Sequence, residues 1–287
     1  MDKAEPEMYA SQKDNSSSTL EKLEIELLLQ GVYDWCGYDF REYAYNSIRR
    51  RVLHLVHREN VGTISQLLDR VLHDPDCLRR LIEDFTINVT EMFRDPLFFR
   101  HFREKVVPIL RTYPSIRIWH AGCSTGEEVY SMAILLHEEG LYEKTKIYAT
   151  DINTTVLKLA KGGIFSIEHM KKYTSNYLKA GGKQAFSDYY TVVNNGVKFD
   201  SFLTENVIFA QHNLVTDKSF NEFHVILCRN VLIYFNKELQ GKVHDLFHES
   251  LGMFGILGLG DKESISKHHA NYYEPINVQR KLYRKVK

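Results

Sequence analysis

Apolar residues in the first third of the chain recur at helical spacing: Leu23, Leu27 with Leu28, Ile48, Val52, Leu55 with Val56, Leu67, Leu68, Val71 with Leu72, then Leu78, Leu81, Ile82 and Phe85. The repeat predicts amphipathic helices that bury one stripe each, so residues 19–86 read as a small all-helical domain. Ser65 and the pair Asp74-Pro75 are start or turn signals within it. Residues 1–18 carry too little apolar surface to bury and read as a disordered tail.

From Ile116 the rhythm changes. Apolar runs at 116–121, 146–151, 207–211 and 223–228 read as strands, with helical patterns at 127–139 and 154–161 between the first of them. A helix near 237–251, a strand at 256–259 and a closing hairpin within 271–286 follow. Alternation of this kind predicts a mostly parallel sheet with helices on both faces. The segment 162–206 interrupts it. Its runs Tyr189-Tyr190-Thr191-Val192-Val193 and Val197-Lys198-Phe199 flank Asn194-Asn195-Gly196, a turn that tolerates positive φ, so a small antiparallel β insertion is expected within about 183–206. The fold class is therefore α/β, a Rossmann-like sheet with a β insertion, preceded by the helical domain.

Composition narrows the function classes. Lys plus Arg and Asp plus Glu both number 37 in 287 residues, which gives no overall electrostatic case for nucleic acid or an acidic membrane. Four cysteines, at 36, 77, 123 and 228, form no C-x-x-C pair, and neither a leader-like apolar segment nor a membrane-length apolar run is seen. A reducing, cytoplasmic setting is expected.

The turn Gly122-Cys123-Ser124-Thr125-Gly126-Glu127-Glu128 follows the first strand, and two acids open the next helix. A phosphate-binding turn needs that positive helix end free of carboxylates, so a cationic ligand suits it better. G-x-G-x-x-G and the P-loop Lys-Ser/Thr pair are absent. Asp151 ends the second strand, where an acid accepts hydrogen bonds from both ribose hydroxyls. A cation plus a ribose points to S-adenosyl-L-methionine. Asn213-Leu214 and Arg229-Asn230 end two further strands, and ligands of open α/β sheets lie outside such carboxyl ends. Asn88, Thr90 and Arg94, between the two domains, add an amide, a hydroxyl and a guanidinium within two turns. Taken singly these are ordinary caps and loop residues; jointly they describe a site.

These runs, Asn-Val-Thr-Glu-Met-Phe-Arg-Asp from 88, Ala-Gly-Cys-Ser-Thr-Gly-Glu-Glu from 121, Ala-Thr-Asp-Ile from 149, Gln-His-Asn-Leu from 211 and Cys-Arg-Asn-Val-Leu-Ile-Tyr-Phe from 228, resemble those of the CheR-type chemotaxis receptor methyltransferases. The resemblance implies methyl transfer from S-adenosyl-L-methionine to glutamate side chains of chemoreceptors, leaving S-adenosyl-L-homocysteine. It implies cofactor contacts at Asn88, Thr90, Arg94, Glu128, Asp151, Asn213, Leu214, Arg229 and Asn230, to which the strand-end argument adds Gly122, with Arg94 and Tyr234 positioning the reacting groups. Glu128 would meet the methionyl ammonium or shape the turn that receives it, and Arg94 would hold either the incoming carboxylate or that of the cofactor.

No metal is required. A glutamate is already ionised near neutral pH, so neither is a general base. The helix Ile48–Arg58 carries Arg49, Arg50, Arg51 and Arg58, with no acid between 43 and 58. Its spacing alone is equally that of a solvated face over a packed one; the resemblance makes it a docking face for the cytoplasmic domain of a chemoreceptor, with the protein acting as a monomer and binding no nucleic acid.

In the resembling family Gly-His-Ser-Glu usually follows the fifth strand, whereas this chain reads Gly258-Leu259-Gly260-Asp261-Lys262-Glu263, and Met92 stands for a common Phe. The changed loop leaves open a cofactor-binding module with little turnover. A small-molecule carboxyl methyltransferase is the other alternative.

Overall fold

The computed structural model describes residues 6–86, 90–194 and 196–287, with side chains from residue 18 onward. It divides into two units, one of residues 1–87 with 234–236 and one of 88–233 with 237–287.

The first unit is helical: α1 (Pro6–Cys36), α2 (Tyr45–Arg58), α3 (Ile64–His73) and α4 (Pro75–Phe85). Its core follows the stripes read from the sequence in α2 to α4, with Ile48, Val52, Leu55, Leu67, Val71, Leu81 and Phe85 all buried, whereas in α1 the expected Leu23 and Leu27 are exposed and the buried face is Ile25, Leu28, Leu29 and Val32. The start of α3 is Thr63, whose hydroxyl accepts the Gln66 N–H at 3.1 Å. Ser65, expected to mark a start, lies inside α3 and donates to Glu24 at 2.5 Å. Asp74 caps α4 by accepting the Asp76 N–H at 2.9 Å, with Pro75 at the first helical position.

Helix α1 begins at Pro6, so helical backbone runs through most of the segment expected to be a disordered tail. Once Ile25, Leu28 and Val32 anchor the helix, each added residue brings a hydrogen bond without a new nucleus. Residues 1–5 of that segment lie outside the described residues.

Residues 234–236 complete this unit. The Ala44 N–H donates to the Tyr234 carbonyl and the Asn236 N–H to the Glu42 carbonyl, each at 2.9 Å. Tyr43 and Phe235 form a β-bridge with their rings edge to face at 4.9 Å.

The second unit opens with α5 (Pro96–His101), which passes through a π turn at Phe102–Val106 into α6 (Val107–Leu110). There follow β1 (Ile116–Ala121), α7 (Glu127–Glu138), β2 (Thr145–Asp151), α8 (Thr154–Gly162), β3 (Ile164–Ser166), α9 (Met170–Lys179), β4 (Tyr190–Val193), β5 (Gly196–Phe199), α10 (Phe202–Glu205), β6 (Val207–Gln211), β7 (Phe223–Cys228), α11 (Lys237–Ser250), β8 (Leu251–Leu259), β9 (Tyr273–Asn277) and β10 (Leu282–Lys285). The large sheet has seven strands in the order β6-β2-β1-β7-β8-β10-β9. β1 runs parallel to both β2 and β7, and strand order reverses there. That reversal opens a crevice at the carboxyl ends of β1 and β7. The last two strands form the expected antiparallel hairpin against β8.

The insertion is a three-stranded antiparallel sheet, β3-β5-β4. It starts at Ile164, earlier than the expected boundary near 183, because its first strand is three residues long and shows no alternation to read. A buried carboxylate ties it down: Glu138 on α7 accepts the Tyr189 hydroxyl at 3.1 Å and the Lys183 N–H at 2.9 Å, and also holds Tyr177 and Arg103. Among the described residues, no helix is long and apolar enough to cross a membrane.

Candidate active site at the carboxyl ends of the strands

The turn after β1 is built on a left-handed residue. Gly122 has φ +78°, and a β-carbon there would fall 2.6 Å from Val231 Cγ2. The N–H groups of Gly122 and Cys123 both donate to the Thr150 carbonyl at 2.8 Å, tying the turn to β2. Gly122→Ala is therefore expected to lose about 1–3 kcal/mol of stability, read as a lower denaturant midpoint at unchanged slope, and to weaken cofactor binding as the turn moves.

Ser124, at φ 51°, aims its N–H at Asp151 Oδ2, 2.9 Å away. Asp151 Oδ1 accepts the Asn153 N–H, also at 2.9 Å. Burial raises the Asp151 carboxyl above its ordinary range, and these backbone donors pull against it. Each oxygen keeps a further lone-pair direction, so the carboxylate is braced from behind and able to accept two hydroxyls.

At the start of α7, Glu127 is buried, accepts the Thr125 hydroxyl at 2.7 Å and has its pKa raised by burial. Glu128 behaves oppositely. Burial would raise it too, but the Arg229 guanidinium and His120 hold it down to about 2. Its Oε1 lies 3.1 Å from His120 Nδ1 and its Oε2 2.8 Å from Arg229 Nη1. Arg229 Nη2 donates to Asp95 Oδ2 at 2.7 Å, both Nη groups reach the Arg94 carbonyl at 3.3 Å, and Phe98 lies under the guanidinium at 4.0 Å. The Arg229 side chain is 1% exposed, and both its Nη groups are engaged by protein acceptors while its Nε has no partner among the described residues. It holds Glu128 and the 94–95 segment together, a structural part beside the expected contact with a cofactor.

The strap carrying Arg94 is pinned along its length. Phe93 and Asp95 on either side have φ 50° and 55°, conformations that surrounding contacts must enforce. The Phe93 N–H donates to Ser131 Oγ at 2.8 Å, Asn176 Nδ2 donates to the Met92 carbonyl at 3.0 Å, and Glu91 pairs with Lys172. Thr90 is half-buried just before it, and Asn88 lies outside the described residues. Met92 is fully buried, as an apolar replacement for Phe should be.

After β6, Asn213 Oδ1 accepts the Val215 N–H at 3.0 Å and so shapes its own turn, with Leu214 half-buried beside it. After β7, Asn230 sits at φ 62°, and its Oδ1 is buried with no hydrogen-bond partner among the described residues. Tyr234 belongs to the first unit, where Arg51 lies 5.3 Å over its ring. Its role beside the methyl group rests on the sequence resemblance alone.

Arg51 itself corrects an expectation. Its side chain is buried and donates to the Phe85 carbonyl, so it faces the core of the first unit and cannot belong to a docking face. Arg49 is forked onto Glu21 at 2.5 and 2.9 Å, and Arg58 pairs with Asp84 at 2.8 Å. Arg50 is exposed and makes no ion pair among the described residues.

Sequence reasoning missed His120, Asp95 and Glu263. His120 had a signal, a polar residue inside an apolar strand. Glu263 had one too, as the Glu of a Gly-x-x-Glu frame. Asp95 had none, because its partner is remote in the chain.

The residues present fit S-adenosylmethionine. Asp151 offers two hydroxyl acceptors, Glu128 is an ionised carboxylate for an ammonium, and Asn230 Oδ1 lacks a donor among the described residues.

Comparison with known proteins agrees. Residues 88–282 match the family described as CheR methyltransferase, SAM binding domain, and residues 23–86 match the CheR methyltransferase all-alpha domain. The Pseudomonas putida protein Cher3, named as a methyltransferase, is 51% identical over 92% of this chain and 97% of its own length. A chemotaxis protein methyltransferase of Borreliella burgdorferi is 30% identical over 88% of this chain and 92% of its own. Among solved structures, PKMT2 from Rickettsia typhi with AdoHcy is 17% identical at a TM-score of 0.31. It matches 51% of this chain, which spans about a fifth of that one, 21%, too partial a likeness to carry an argument. The chain belongs to the CheR methyltransferase family, and it is an S-adenosylmethionine-dependent methyltransferase.

Proposed function

We propose that the protein methylates glutamate side chains on the cytoplasmic domain of a chemoreceptor, acting in the cytoplasm as a monomer. The family match and the relatives named as chemotaxis methyltransferases support the substrate class. The single observation carrying the site assignment is the pair of braced carboxylates, Glu128 at the start of α7 held ionised and Asp151 at the end of β2 held by backbone N–H donors.

S-adenosylmethionine supplies an activated methyl group on a sulfonium. The protein's part is alignment, since the glutamate nucleophile needs no deprotonation at neutral pH. Asp151 orients the ribose through its hydroxyls and Glu128 takes the methionyl ammonium. Arg94, on its pinned strap, aligns a carboxylate. Positive and negative charge cancel as methyl moves, so a tight clamp on the ground-state ions would slow the step, and Arg94 is assigned to positioning.

Labelled S-adenosylmethionine with a cognate receptor fragment is expected to give a base-labile label on the fragment. Failure to label any receptor glutamate overturns the reading. Arg50→Glu is expected to lower methylation of the receptor about tenfold at low salt, with S-adenosylhomocysteine affinity unchanged and the loss shrinking as salt rises.

The changed loop gives no ground for a module without turnover. Its altered positions, Asp261 and Lys262, are exposed, and the Glu at 263 is retained and hydrogen-bonded.

A further inference from the structure

Glu263 is a buried acid that the scheme above does not use, and its surroundings give it a task. Its Oε2 accepts two backbone N–H groups, Gly260 at 2.6 Å and Asn230 at 3.0 Å, and its Oε1 accepts the Ile233 N–H at 3.3 Å. One carboxylate thereby joins the end of β8 to both sides of the turn after β7. Asn230 sits in the left-handed region, which Asn tolerates but does not require, so an outside group must select it. Gly260 is fitted to the same contact: a β-carbon there would fall 2.7 Å from Glu263 Oε2 and 2.8 Å from the Asn230 nitrogen. Three backbone donors converging on one side chain call for an acceptor at both oxygens, which a carboxylate provides and an amide does not.

We infer that Glu263 is a positioning residue for cofactor binding: it fixes the Asn230 backbone so that the Asn230 amide is presented to the nucleoside at the carboxyl end of β7. This rests on the reading that Asn230 contacts the cofactor, which the buried Oδ1, without a partner among the described residues, supports. Glu263 touches no substrate and acts only through Asn230. The exposed neighbours Asp261 and Lys262 take no part.

The test is calorimetric titration of the full chain with S-adenosylhomocysteine, in the wild type, Glu263→Gln, Asn230→Ala and the double variant, with thermal melts alongside. Each single variant is expected to weaken binding about tenfold, the weight of one hydrogen-bonding group in a dry site. Because one residue acts through the other, the double variant should bind within about twofold of the weaker single. A purely structural role for Glu263 would instead multiply the two losses, and that outcome overturns the inference, as does wild-type affinity in Glu263→Gln. Wild-type affinity in Asn230→Ala overturns the parent assignment of Asn230, and the inference with it. Should Glu263→Gln fail to fold, Gly260→Ala separates the carboxylate from Asn230 with the charge retained. It is expected to reproduce the tenfold loss, and unchanged affinity there overturns the role.

Discussion

Asp151→Ala is expected to weaken S-adenosylhomocysteine binding by about a hundredfold, the sum of two hydrogen bonds to an ionised acceptor at roughly 1.5 kcal/mol each. The loss has two sources. The ribose hydroxyls lose their acceptor, and the N–H groups of Ser124 and Asn153 lose the group that fixes the turn after β1. Asp151→Asn separates them, since an amide oxygen braces one N–H while its NH2 opposes the other, so its loss should be intermediate. Titration calorimetry reads both, and wild-type affinity in Asp151→Ala would overturn the ribose assignment. A pH signature accompanies it. Burial raises the Asp151 carboxyl, whereas hydroxyl donors favour the ionised form, so binding should strengthen as pH rises through the region just above the ordinary aspartate range. The alanine variant should lack that dependence.

Arg229→Met should cost more in stability than any other single change considered. It removes the guanidinium that lies over Phe98 and pairs with both Glu128 and Asp95, leaving Glu128 only His120. Removing one partner of a buried ion pair costs about 3–5 kcal/mol, which for a chain of this size lowers Tm by about 10 °C. The sign of the pH dependence is a sharper check. In the wild type the folded Glu128 pKa is about 2, below its ordinary 4.5, because Arg229 and His120 outweigh the burial that would raise it. A depressed carboxylate contributes stability that is fully present above 4.5 and is lost as pH falls from there toward about 2. Without Arg229 only His120 still opposes burial, so the folded pKa rises and the variant gains less from ionisation. The gap in Tm between the two should be widest near neutral pH and narrow as the solution is acidified below 4.5 toward about 2. A gap that stays constant with pH would assign the loss to packing instead.

The parts of this site legible from sequence are those a short window contains. The apolar stripes gave the four helices of the first unit, and small or polar residues at strand ends marked Gly122, Asp151, Asn213 and Asn230, because a parallel sheet places all such ends on one side. The brace behind them was not legible. Arg229 and Glu128 are 101 positions apart and Arg229 and Asp95 134, so their pairing exists only once the sheet has formed. Arg229 was accordingly read only as a ligand contact, and its link between a pocket carboxylate and the Arg94 strap was not foreseen. Arg51 is the opposite case. Three consecutive arginines cannot share one helical face, and Arg51 falls with Ile48, Val52 and Leu55 on the buried side of α2. That information was present in the spacing and was overridden by the run of charge.

The tripeptide Tyr234–Asn236 has a consequence for how the chain matures. During synthesis the four helices emerge long before the residues that bridge to Tyr43 and cover Arg51, and closing so distant a segment carries an entropic cost that local helix pairing does not. The helical unit is thus expected to finish last although it is made first, held in a native-like but loosened form until translation has passed residue 236.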